Sequence, residues 1–137
     1  MKFKVFFKKV PAFNLNEMLF TLAIIGILLL LALPKLLPLI SKAKSLEAQI
    51  QLKYIYNLQT QYFYLNSTYA DDFNTLDFEA PKTVQENGTS NYIYEIVNSS
   101  NDRFKIRAIA ITDFDRDGIM NEWEIDENGN PKQLVKD

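Results

Sequence analysis

The chain contains no cysteine and no histidine, and only four glycines in 137 residues. Without cysteine no disulfide framework can close the fold, although an exported protein would tolerate one. Without cysteine or histidine, and with no glycine-rich phosphate loop, no nucleophile and base pair stands out, so the chain does not read as an enzyme. Basic residues are scarce after the start. Four of the fifteen lysines and arginines lie in Met1 to Ala12, where there is no acid, which leaves eleven against seventeen acidic residues, a net of about −6. An acidic remainder argues against nucleic-acid binding, and a basic start before an apolar run places the N-terminus on the cytoplasmic side.

What the chain has is one long apolar stretch. From Met18 to Leu33 no side chain is charged, a length and composition that suit a membrane-embedded helix. Glu17 stands at its edge. A carboxylate there costs on the order of 2.5–3.5 kcal/mol on insertion scales, so the position calls for a partner that the monomer does not obviously supply. A secretory signal peptide would need a small-x-small cleavage site after the run, and Leu31 to Pro38 offers a poor one. A plain uncleaved anchor leaves Glu17 and its spacing unexplained.

The order Lys8-Lys9-Val10-Pro11-Ala12, then Phe13, then Glu17 four residues on, then Ala23-Ile24-Ile25-Gly26-Ile27-Leu28 and Pro34 resembles the N-terminal class III signal of type IV pilins and pseudopilins. Two positions depart from the common pattern, Ala12 in place of Gly and Asn14 in place of Thr. The resemblance implies cleavage between Ala12 and Phe13 by a prepilin peptidase, followed by N-methylation of Phe13. It also implies a homo-oligomeric filament, assembled by pilus or secretion machinery in the bacterial inner membrane. The subunit would sit in that membrane first, C-terminus outside, and in a surface pilus or periplasmic pseudopilus afterwards. Glu17, Gly26 and Pro34 are the expected assembly residues: Glu17 pairing with the Phe13 amine of an adjacent subunit, and Gly26 to Pro34 able to unwind.

The expected fold is α+β, pilin-like: a long N-terminal helix packed on a small antiparallel sheet of three to four strands. Its parts are a leader at 1–12, a hydrophobic helix at 13–40 and an exported head at 41–137. A helix from Phe13 to about Tyr64 would run roughly 78 Å, with a kink or local unwinding near Pro34. In the head, Ala48, Leu52, Ile55, Leu58, Tyr62 and Leu65 recur every three or four residues and form an amphipathic stripe over 41–65. The aromatics Tyr54, Tyr56, Tyr62, Phe63 and Tyr64 read as packing groups rather than a conduction or stacking device. Turn formers fill a loop at 66–90, and the Asn-x-Ser/Thr triplets at Asn66, Asn87 and Asn98 are of a kind that arises by chance.

Strands alternate over Tyr92 to Val97 and Phe104 to Ile111, the latter with Phe104, Ile106, Ala108 and Ala110 facing the helix. Shorter strands follow at Glu122 to Asp126 and Lys132 to Lys136, giving a sheet within 91–136. Between the second and third strands, residues 113–124 carry the spacing of a calcium loop. Asp113, Asp115 and Asp117 alternate inward, Gly118 allows the sharp turn, the Ile119 backbone carbonyl and Asn121 follow, and Glu124 closes the shell. Calcium, as a structural cofactor, would be the missing staple; the bland alternative is a solvated acidic turn. The functions to weigh are a type IV pilus-like filament subunit, a major pseudopilin of type II secretion, and a membrane-anchored calcium-dependent binding module.

Overall fold

A computed structural model of the chain describes residues 14–136. Ala12 and Phe13, the processing residues, lie outside the described residues. The architecture is α+β: helix α1 (Leu15–Asn66), a short 3-10 turn (Val84–Glu86), and strands β1 (Tyr92–Ser99), β2 (Phe104–Ala110), β3 (Glu122–Asp126) and β4 (Lys132–Val135). The chain divides into two units, Met1–Lys35 and Leu36–Asp137.

In the first unit the described residues form the N-terminal part of α1. Asn14 caps it: its carbonyl accepts from the Glu17 and Met18 amides, and its own amide donates to Glu17 Oε2 at 3.0 Å. This is the carboxylate arm of a capping box, which satisfies an amide that the helix cannot. Large apolar side chains from Leu15 through Leu33 all stand exposed, and no Cβ placed on Gly26 would meet another atom within 4 Å. The helix is long and apolar enough to cross a membrane, its most apolar window having a mean hydropathy of 2.5.

The unwinding expected near Pro34 is not found. Helical assignment continues through Gly26, Pro34 and Pro38. Each proline removes its own donor to the carbonyl four residues earlier and crowds that carbonyl, but the leucine-rich turns on both sides favour propagation.

In the second unit, α1 buries Ser41, Ser45, Ala48, Leu52, Ile55 and Gln59 along one face, at alternating spacings of four and three. The stripe is therefore polar at both ends. Leu58 and Tyr62 are only partly buried, and Leu65, expected on this stripe, is 85% exposed. The sheet is antiparallel in the order β1-β2-β3-β4, with Tyr94 opposite Ala108, Ile106 opposite Ile125 and Arg107 opposite Glu124. That register puts Tyr92, Tyr94, Phe104, Ile106, Ala108, Ala110 and Ile125 into one core with Ala48, Leu52 and Ile55. The alanines of β2 are fully or nearly covered, as close approach of helix and sheet requires. Loop residues Ala70, Leu76 and Phe78 complete this core, so the long connection is packed and not merely tethered.

Three polar clamps fix the head to its helix. Gln59 acts as a surrogate peptide group: its Nε2 donates to the Ala70 carbonyl at 2.8 Å and its Oε1 accepts from the Ala70 amide at 2.9 Å, in full burial. Glu47 accepts from Ser90 Oγ, the Asn91 amide and Asn91 Nδ2, at 2.8, 2.9 and 2.8 Å, anchoring the lead into β1. Asn121, fully buried, accepts from the Tyr92 hydroxyl and donates to Ser45 Oγ. The β3–β4 turn is fitted to the helix as well. Gly129 has φ +73°, and a Cβ there would lie 2.6 Å from the Tyr56 ring, so both conformation and space demand glycine.

Candidate functional site

The acidic loop after β2 is shaped by its own carboxylates. Asp113 accepts from the Arg116 amide through Oδ1 and from the Gly118 amide through Oδ2 (2.6 Å), Asp115 from the Asp117 amide (3.1 Å), and Asp117 from the Ile119 amide (2.8 Å). Each is a short side-chain-to-backbone bond of the kind Asp makes in turns. Two residues adopt left-handed backbone here, Arg116 at φ 68° and Gly118 at φ 88°. Phe114, between the first two acids, points the other way into the core, edge-on to Tyr92 with centroids 5.7 Å apart, and Lys44 Nζ lies 4.4 Å over its ring. That anchor holds the loop against α1 while its acids face outward.

Asp113, Asp115 and Asp117 each offer a carboxylate oxygen, and these three atoms lie within 4.8 Å of one another. Hard oxygen donors at this separation match the needs of calcium or magnesium. The other side chains of the expected shell go elsewhere. Asn121 is buried between Tyr92 and Ser45. Ile119 donates its amide to Asp117, a bond that leaves its carbonyl, the expected ligand atom, uncommitted. Glu124 lies inside β3 on the outer face of the sheet, where Lys105 Nζ approaches Oε1 at 3.2 Å and Arg107 approaches Oε2 at 3.4 Å. The reason is strand alternation: Asn121, Trp123 and Ile125 face the helix side, so Glu122, Glu124 and Asp126 face away from it. Local spacing matches a calcium loop, but the twelfth position belongs to a row of cross-strand charges. That row continues with Glu95 to Arg107 at 3.9 Å and Asp126 to Lys132 at 3.0 Å.

The electrostatics bear on stability. Partial desolvation pushes the Asp113 carboxyl up, but the amides of Gly118, Arg116, Asp117 and Asp115 outweigh it and leave its pKa below the ordinary value of 3.8. Asp126 follows the same balance, desolvation being overcome by Lys132 and Asn128. Asp72 is lowered by the Thr75 hydroxyl and amide, and Glu86 by the Thr83 amide and hydroxyl. In all four the folded state holds its proton less tightly than the unfolded chain. Stability contributed by these groups is therefore complete above the unfolded values of 3.8 and 4.5, and is lost as pH falls through the lower folded values. The urea midpoint should stay level from pH 8 to about 5 and fall below 4. A midpoint that rises on acidification would contradict these assignments.

Of the expected assembly residues, Glu17 completes the cap of α1, Gly26 meets no packing demand from the described residues, and Pro34 lies in continuous helix. The residues that sequence reasoning missed are Ser41, Ser45 and Gln59, whose positions continue the 4-3 spacing of the apolar stripe. Comparison of the chain with known protein families and with curated proteins finds no match.

Proposed function

We propose that this chain is a structural subunit of a type IV pilus-like filament, cut between Ala12 and Phe13 by a prepilin peptidase and assembled through its N-terminal helix. One observation carries the reading: from Leu15 to Ile40 the large apolar side chains of α1 are exposed, with a carboxylate at the head of the run. Such a surface must be covered by lipid, by other copies, or by each in turn. Pairing of Glu17 with the methylated amine of Phe13 on a neighbouring copy neutralises two charges otherwise stranded in hydrocarbon. The test is the N-terminal mass of the protein extracted from membranes. A methylated Phe13 terminus is expected; a chain still beginning at Met1 overturns the reading.

The trio of aspartates favours a calcium ion in the exported head, which also suits a pseudopilin or a membrane-anchored binding module. Asp113, Asp115 and Asp117 would hold it, stiffening a loop already anchored by Phe114. At a hundredfold excess over Kd, a ligand of the folded state alone adds about 2.7 kcal/mol. Calcium should therefore raise the melting temperature of the purified protein by several degrees, a chelator should reverse the rise, and Asp117→Ala should remove the response. A melting temperature indifferent to calcium and chelator alike counts against the site.

A further inference from the structure

The side of α1 turned away from the sheet is not uniformly polar. Leu46, Ile50 and Tyr54 follow one another at intervals of four, roughly half a turn from the buried stripe, and are 54%, 67% and 49% exposed. Together with Lys53, Asn57 and Pro131 of the β3–β4 turn they line a shallow groove of about 440 Å³. Lys53 makes no ion pair among the described residues and lies 5.6 Å over the Tyr56 ring. The groove is thus apolar along its floor and carries a positive charge beside it.

The same head has a surface of matching chemistry. Outside α1, Ile119 and Met120 are the one adjacent pair of exposed large apolar side chains among the described residues, and Asp117 stands exposed two residues before Ile119. The loop is held in shape by the Asp113, Asp115 and Asp117 carboxylates and by Phe114, so little order is lost when its tip is covered. An apolar pair flanked by acid complements an apolar groove flanked by lysine.

We propose that the groove along Leu46, Ile50 and Tyr54 receives the Asp117 to Met120 loop tip of a second copy of this chain, with Asp117, which offers the aspartate trio one oxygen, turning its other oxygen toward Lys53. This rests on the filament reading and extends it from the membrane helix to the head. Groove and tip are different patches, so the contact runs head to tail. Repetition of such a contact extends into an open array when the rotation does not close. The charge pair sets register more than strength, as partly exposed ion pairs do.

The absence of native cysteine allows a direct test on the full chain in membranes. Ile50→Cys and Ile119→Cys, both at exposed positions, are combined in one chain and treated with an oxidant. A ladder of disulfide-linked multimers is expected from the double variant, and monomers from either single variant. Adding Lys53→Glu should reduce the laddered fraction several-fold, and Lys53→Arg should restore it. Dimers from Ile50→Cys alone would mean that two grooves face each other, and would overturn the proposal. So would a ladder unaffected by Lys53→Glu, or no ladder although both thiols react with maleimide. Electron microscopy of the same cells separates the two claims: filaments without a ladder refute the docking and spare the assembly reading, whereas absence of filaments refutes the assembly reading and the docking that rests on it.

Discussion

Glu17→Ala is expected to abolish filaments while leaving the protein membrane-inserted and processed. The carboxylate at this position is bound to the Asn14 amide, a bond that satisfies one oxygen but leaves the charge in place. An ion at the start of an apolar helix retains a cost on the order of 2.5–3.5 kcal/mol until a cation approaches it. Two roles therefore coincide in one side chain, and Glu17→Gln separates them. Glutamine is also favoured at the third helical position and can reach back to the capping residue, but it carries no charge. If pairing with a neighbour's amine drives assembly, both variants lose filaments in sheared-cell electron microscopy, with normal amounts in the membrane fraction. Filaments of ordinary number from Glu17→Gln would reduce the residue to a helix cap and remove the electrostatic basis of assembly.

The largest loss of stability from an ordinary-looking change is expected at Gln59. Gln59→Leu keeps the volume and adds apolar surface, so hydropathy alone suggests a gain. The structure gives the opposite sign. The Ala70 amide and carbonyl are both held by the Gln59 side chain in a site with no exposure, and leucine leaves both unpaired. At about 1–3 kcal/mol for each buried unsatisfied group, the loss should be about 2–6 kcal/mol, measured as a shift in the urea midpoint. For a domain of ordinary stability, about 5–15 kcal/mol, that is a large share. A change below about 0.5 kcal/mol would mean that the Gln59–Ala70 bonds contribute nothing net.

Much of the fold can be read from periodicity. The 3.6-residue repeat of Ala48, Leu52 and Ile55 and the alternation of Phe104, Ile106, Ala108 and Ala110 each identify an element and its inward face, and together they specify a helix on a sheet. The polar members of the interface escape such a reading because their partners are distant in sequence. Ser45 meets Asn121 across 76 residues, and Glu47 meets Ser90 and Asn91 across 43 and 44. Only its place in the 4-3 spacing of the stripe, and nothing in its chemistry, distinguishes Gln59 from its exposed neighbour Gln61. The candidate metal loop was legible for a related reason only in its first half. Asp113, Asp115 and Asp117 are close because the turn itself brings them together, whereas the side on which Glu124 emerges is decided by its pairing with Arg107. The prolines misled as to unwinding, since their local cost does not measure how strongly the surrounding residues favour helix.

The Glu47 and Gln59 clamps grip the same helix twelve residues apart, about 18 Å along its axis. Tension applied along α1 would load both in shear and in parallel, so that neither can be peeled open before the other. Both clamps are hydrogen bonds and not covalent links, so each bond that yields is one that can form again.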